Sequence, residues 1–254
     1  MDIDWTTDHA AIWRNYSKRL RPVRQLDPVE LTELIGIEQQ KRVLIRNTER
    51  FMAGQPANNA LLWGARGTGK SSLVKAVFNA YRRQSLRLIE VDKDDLLNLP
   101  EIIDCIREFP YRFILFCDDL SFDLHESTYK HLKSVLEGSV EVAPDNTLLY
   151  ATSNRRHLLP EKLADNLDTK IVDGEIHYAD AVEEQISLSD RFGLWIAFYP
   201  ENLENYLRIV DSLFEDFAGD RAALHEAAKL FATSRAAKSG RTARQFYNHY
   251  YEAS

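Results

Sequence analysis

Nine residues, Gly64 to Ser72 (GARGTGKSS), carry the clearest chemistry in the chain. Gly64, the four variable residues Ala65, Arg66, Gly67 and Thr68, then Gly69, Lys70 and Ser71 match the phosphate-loop spacing, with Ser72 continuing into the following helix. Glycines let the backbone curl tightly and turn N–H groups onto phosphate oxygens at the positive end of a helix. In that arrangement Lys70 reaches the outer phosphates and Ser71 is placed to ligate Mg2+.

Other residues fit the same chemistry. Phe113-Ile114-Leu115-Phe116-Cys117 is an apolar run ending in Asp118-Asp119. Two carboxylates at a strand tip suit holding Mg2+ (Asp118) and orienting an attacking water (Asp119). Asp119 is one methylene shorter than the glutamate many ATPases use. A positioned base contributes about 10²–10⁴ in rate, so the shorter side chain leaves slow hydrolysis open as an outcome. A further apolar strand ends in Ala151-Thr152-Ser153-Asn154, which puts an amide beside the acidic pair. In Ser187-Leu188-Ser189-Asp190-Arg191-Phe192-Gly193, Arg191 can bring positive charge to the γ-phosphate of a neighbouring subunit, or pair with Asp190 on the surface. Near the C-terminus Arg241 or Arg244, three apart on one helix face, can reach the nucleotide.

The elements that must position these groups alternate. Strand patterns cover Ala60–Trp63, Leu86–Val91, Arg112–Cys117, Thr147–Ala151 and Leu194–Phe198. Helical patterns cover Glu38 to about Ala53, with Val43, Leu44, Thr48 and Phe51 on one stripe, then Ser72–Tyr81, Leu96–Glu108 broken early by Pro100, and Glu126–Glu137 closed by Gly138. Short, near-uniform apolar strands between amphipathic helices predict a parallel α/β sheet with ligands at its C-terminal strand ends. After Glu201 only helical patterns remain: Glu201–Phe217, Asp220 to about Arg235, and Thr242–Ala253. The expected organisation is an N-terminal arm over residues 1–33, an α/β core over 34–200 and an all-α lid over 201–254. The arm reads as a helix followed by an extended segment. Its Arg14, Lys18, Arg19, Arg21 and Arg24 suit nucleic acid, a neighbouring subunit or a solvated helix face.

Composition narrows the function classes. The chain has 254 residues, 44% hydrophobic, with 32 Lys and Arg against 39 Asp and Glu, a net charge of -7. There is no global basic field of the kind a general nucleic-acid coat protein needs. Cys105 and Cys117 read as small buried hydrophobes in a reducing compartment, and no Cys/His cluster spells a zinc site. No Asn-Lys-x-Asp guanine motif occurs. The acidic N-terminus and the lack of a long apolar run predict a cytoplasmic protein with no membrane segment.

Taken together, the motifs resemble the AAA+ ATPases. In that family they are the Walker A loop (Gly64 to Ser71), Walker B (Phe113 to Asp119), sensor 1 (Asn154), the arginine finger (Arg191) and sensor 2 (Arg241 or Arg244). The resemblance implies a five-stranded parallel sheet of order 5-1-4-3-2 with a C-terminal all-α lid. It implies ATP and Mg2+ as cofactors, Ile35 and Gly36 beside the adenine, and a homo-oligomer, ring or filament, with the finger acting in trans. Asp-Asp-Leu and Ser-Asp-Arg-Phe-Gly look most like the initiator and helicase-loader branch. GARGTGKSSLVKA, FCDDLSF, LEGS, ATSNRRHL and SLSDRFG are similar to a bacterial domain-of-unknown-function family of predicted AAA+ ATPases. The implied function is Mg2+-dependent ATP hydrolysis coupled to partner remodelling. The alternative is a slow or non-hydrolysing switch or loader acting on a protein partner or DNA.

Overall fold

A computed structural model describes residues 3–121, 132, 136, 144–155, 158 and 189–252. Five parallel strands are laid down by the apolar runs: β3 (Ala60–Gly64), β4 (Leu86–Glu90), β5 (Arg112–Cys117), β6 (Thr147–Ser153) and β7 (Leu194–Phe198). Before them come β1 (Ala10–Arg14) and β2 (Arg19–Pro22), an antiparallel hairpin whose β1 runs parallel to β4. All seven form one sheet in the order β2-β1-β4-β5-β6-β3-β7.

This corrects the expected sheet, which among the described residues is seven-stranded and mixed rather than five-stranded and parallel. Within it, the five strands anticipated from sequence run fifth, first, fourth, third, second from the β7 edge. The N-terminal helix and extended arm are also corrected. Ala11, Trp13 and Leu20 point to one core while Arg14, Arg19 and Arg21 are exposed. That is an alternation of period two, as a half-buried strand requires.

Alternation along the strands divides the core into two layers. Leu61, Phe113, Leu115, Cys117, Leu149 and Ala151 face one side, against Ile102, Ile103 and Ile106 of α3 (Leu99–Ile106). Leu62, Ile114, Phe116, Leu148 and Tyr150 face the other. There they meet Leu44 and Phe51 of α1 (Glu38–Met52) and Leu73, Val74, Val77 and Phe78 of α2 (Lys70–Tyr81). Pro100 sits in the first turn of α3 and opens the helix instead of breaking it, because its missing N–H lies where no intrahelical bond is made. Cys117 is buried, as expected, and burial pushes its thiol pKa up; Cys105, against expectation, is exposed. Of the expected 126–137 helix only Leu132 and Leu136 are described, both helical. Gly138, Arg156 and His157, with Ser187 and Leu188, lie outside the described residues.

Three C-terminal helices, α4 (Leu203–Leu213), α5 (Arg221–Ser234) and α6 (Gly240–Glu252), bury their own cluster of Tyr206, Val210, Phe214, Leu224, Ala228, Ala243 and Phe246. Asn202 and Asp220 cap α4 and α5 through their side-chain oxygens. Among the described residues no helix is long and apolar enough to cross a membrane.

One buried polar knot ties α1 to the sheet. The Tyr150 hydroxyl receives the Asn47 amide at 3.1 Å and shares a 2.9 Å hydrogen bond with Thr48. Tyr150→Phe leaves both partners buried without it, so the fold is expected to lose about 1–2 kcal/mol. Urea unfolding monitored by circular dichroism checks this.

Candidate functional site

The glycine-rich loop joins β3 to α2, and two of its glycines are steric necessities. Gly64 has φ +133, and a Cβ there would lie 1.9 Å from the Phe198 carbonyl oxygen of β7. The same carbonyl accepts the Ala65 N–H at 3.1 Å, so β7 holds the entry to the loop. Gly69, the residue before α2, has φ +92, the left-handed region that lets the chain turn into the helix. Within the loop the Thr68 hydroxyl donates to the Ala65 carbonyl at 2.8 Å, while Arg66 is exposed.

Lys70 folds back over this loop. Its ammonium donates to the Gly64 and Ala65 carbonyls at 2.9 and 2.7 Å and to Asn154 Oδ1 at 3.0 Å. Burial lowers its pKa; Arg241 and Arg66 act in the same direction, and Asp118 and Asp119 oppose them. Asn154, at the tip of β6, passes the contact on by donating its amide to Asp119 Oδ1 at 2.6 Å. Asp118 accepts the Ser71 hydroxyl at 2.5 Å and the Thr152 hydroxyl. Lys70, Ser71, Asp118, Asp119 and Asn154, drawn from α2 and the ends of β5 and β6, thus form two adjoining hydrogen-bonded sets, Lys70–Asn154–Asp119 and Ser71–Asp118. Ser72, half-buried, continues α2 beside it.

Thr152 is the organiser that the sequence did not flag. Its hydroxyl also accepts the Asp119 N–H at 3.0 Å, and its carbonyl accepts the Leu120 N–H at 2.7 Å. These bonds hold the Asp118–Leu120 turn, in which Asp119 takes φ 53, a left-handed conformation that aspartate tolerates better than most residues. The Ser71 hydroxyl and Asp118 carboxylate are hard oxygen donors of the kind Mg2+ takes. Among the described residues no group of three His, Cys, Asp or Glu side chains could hold a metal.

The C-terminal helices close on the loop. A Cβ on Gly67 would meet Ser239 Oγ at 2.8 Å and Arg241 Cβ at 3.3 Å, and one on Gly240 would lie 3.7 Å from the Gly67 carbonyl. Ser239 accepts the Thr242 N–H at 3.2 Å, so α6 starts against the phosphate loop. Of the two candidate arginines, Arg241 is beside the loop and its charge reaches Lys70. Arg244, by contrast, lies with its guanidinium 5.9 Å from the Tyr247 ring centre. On the other flank, Gly36 has φ +85, and a Cβ there would meet Asn205 and Glu201 of the C-terminal segment at 2.9 Å. Ile35 beside it is half-buried. Buried Ile37, also not anticipated, puts its Cδ1 3.7 Å from where a Gly69 Cβ would stand.

Arg191 is not brought to this group. It precedes β7, whose Leu194 is opposite Ala60 and whose Phe198 is opposite Gly64. Four strand steps, about 13 Å, therefore separate even Leu194 from the level of the loop, and Arg191 lies beyond it at the N-terminal strand ends. Phe192 is buried and anchors this turn, with its N–H on the Ser189 carbonyl at 3.1 Å.

A family model described as "Protein of unknown function (DUF815)" matches residues 6–254. The replication factor C large subunit of Ignicoccus hospitalis is 37% identical over 70 residues, which is 27% of this chain and only 14% of that protein. Among solved structures, Aeropyrum pernix ORC1 in complex with DNA aligns with a TM-score of 0.58 at 15% identity, over 83% of this chain and 58% of that one. A point variant of Thermotoga maritima RuvB aligns at 0.49 and 16% identity, over 87% and 72% of the two chains. The likeness to ORC1 is one of fold, the α/β AAA+ architecture.

Gly64→Ala should destabilise the chain by on the order of 3 kcal/mol, since the added carbon meets backbone rather than a movable side chain. Gly69→Ala, whose nearest neighbour is a flexible isoleucine tip, should cost less. Chemical denaturation of the two variants side by side checks the order.

Proposed function

The chain belongs to the DUF815 family, and on that premise together with the site geometry we propose that it is an ATP-binding, Mg2+-dependent ATPase. The observation that carries this reading is the single hydrogen-bonded group joining Lys70, Asn154 and Asp119 beside the Ser71–Asp118 pair. Backbone N–H groups of residues 64–71 cradle phosphates, and the Lys70 ammonium exchanges its loop carbonyls for phosphate oxygens. Ser71 and Asp118 would hold Mg2+, which neutralises charge on the phosphates. Asp119 and Asn154 orient the attacking water. Arg241 supplies charge from the C-terminal helices, and Ile35, Gly36 and Ile37 border the base.

Completion of the site requires a second copy. Arg191 stands at the far end of its own sheet, so in this reading it serves the γ-phosphate of a neighbour in a homo-oligomer. A guanidinium there stabilises charge spread over the transferring phosphoryl group. Residues 1–33 then extend the edge of the sheet, 34–200 act as the nucleotide-binding core and 201–254 as a lid that reports nucleotide state to a partner.

A second reading, a switch that binds ATP but turns over slowly, is favoured by Asp119. Its short side chain is engaged by Asn154 and its backbone is held in the left-handed region. ORC1 was seen in complex with DNA; DNA or a protein is the partner such a switch would load.

Calorimetric titration with ATP and Mg2+ tests binding. Lys70→Ala is expected to abolish it, Arg241→Ala to weaken it by about tenfold and Arg244→Ala to leave it within about twofold, as loss of one charge-assisted contact against none predicts. Equal losses at both arginines would remove the assignment of Arg241. For the neighbour's role of Arg191, turnover per subunit should rise with protein concentration, and Arg191→Ala should lower it by about 10³ with ATP affinity retained. Turnover independent of dilution would sink the shared site.

A further inference from the structure

At the N-terminal end of the strands, opposite the phosphate loop, the hairpin and the end of α2 enclose a cavity of about 580 Å³. Its lining is drawn from three segments: Thr7, Asp8 and His9 before β1, the end of β2 and the chain beyond it with Val23, Arg24 and Leu26, and Arg82 after α2. The volume lies in the range that small ligands occupy. Two of its residues contribute buried nitrogens with no hydrogen-bond partner, His9 Nδ1 and Arg82 Nε. Buried polar atoms are satisfied in the great majority of cases, so two orphaned nitrogens on separate elements that line one cavity mark unused hydrogen-bonding capacity beside it.

The charge around the cavity is predominantly positive, with Asp8 as the acidic exception in its lining. Arg24 and Arg82 line it, and Arg82, Arg83 and Arg87 all act on the His9 imidazole, with Asp8 the one acidic group acting against them. No ion pair to Arg24 or Arg82 occurs among the described residues. In a chain of net charge -7 this concentration of arginine is local, and it lies where the nucleotide machinery does not use it. The Arg82 main chain is fixed independently, since its carbonyl accepts from the Arg87 guanidinium at 3.1 Å and its N–H donates to Phe78 at 2.8 Å. The side chain can therefore be altered without removing a support of the sheet.

We infer that this cavity is a second anion site, which takes a phosphate-bearing small molecule between Arg24, Arg82 and His9. Planar guanidinium groups match phosphate oxygens in pairs, and a neighbouring imidazole adds a donor when protonated. A cavity of this size has room for a compact phosphate or diphosphate. The twelve residues of α2 rise about 18 Å from the phosphate loop to this cavity, so the two sites are separate and joined by one rigid element. The inference stands independently of the nucleotide reading.

His9 supplies the readout. Burial first, then Arg87, Arg82 and Arg83, hold its pKa below the ordinary imidazole value, and Asp8 opposes them. A bound anion reverses the sign of the surrounding field. Pyrophosphate is expected to raise the pKa of His9 by about one pH unit, equivalent to about tenfold tighter binding to the imidazolium form, so affinity increases as pH falls through that range. The measurement is a nitrogen-15 titration of the full chain with pyrophosphate, His9 being assigned with His9→Gln. Arg82→Gln and Arg24→Gln should each weaken binding at this site by about tenfold, and Lys70→Ala, which disables the phosphate loop, should leave the His9 response intact. An unmoved His9 resonance, a response lost in Lys70→Ala, or a response to a single-stranded oligonucleotide but not to pyrophosphate would each overturn the inference.

Discussion

The site depends on a close approach between two backbones. β3 must end beside the Phe198 carbonyl of β7 in a residue with no side chain, because a Cβ on Gly64 would stand 1.9 Å from that oxygen. Given the approach, the loop leaves the sheet at a fixed angle, Ala65 bonds to the same carbonyl, and α2 starts with Lys70 directed back at the strand ends. Strand order does the rest. β6 lies next to β3 and β5 next to β6, so Asn154 and the Asp118–Asp119 turn arrive beside Lys70 without any long excursion of the chain. A parallel sheet makes this possible because all its C-terminal ends share one edge.

What sequence alone revealed followed the physics of each element. Arg112–Cys117 is legible as a strand because burial on both faces leaves a continuous apolar run. The loop is legible because its geometry restricts residue type at fixed spacing. The hairpin was not: β1 and β2 have five and four residues, and the basic side chains on their exposed face mimic a solvated helix. Thr152 and Ile37 escaped notice for a different reason. Neither type is unusual where it stands, and each acquires a role only through contacts with Asp118, Asp119 or Gly69, distant in sequence. The choice between Arg241 and Arg244 was closed to sequence on the same ground, since helical spacing puts both on one face and only the packing of Ser239 on Gly67 separates them.

Polar groups here do two kinds of work. Around Tyr150, donors and acceptors are fully buried and mutually satisfied, an arrangement that fixes α1 against the sheet. Arg87 is similar: although buried in a strand, it donates to the Trp5, Arg82 and Leu86 carbonyls and stacks at 4.0 Å on Tyr111, tying the N-terminal segment to the core. In the Lys70 group the bonds, at 2.5 to 3.0 Å, are no longer than these, but both carboxylates are exposed and Asn154 is half-buried. Such bonds exchange with incoming oxygens at small cost, which is the property a ligand site needs and a structural knot must lack.

The two ends of the sheet consequently differ in kind. The C-terminal edge gathers carboxylates, a lysine and the C-terminal helices around one loop, while the N-terminal edge carries Arg191 on one side and the Arg24–Arg82 cavity on the other. Neither feature of the second edge can reach the loop of its own chain. Under the proposed shared site Arg191 acts against another copy, and α2 is the element that runs between the cavity and the loop. A helix twelve residues long and packed along Leu73, Val74, Val77 and Phe78 moves as a unit rather than bending.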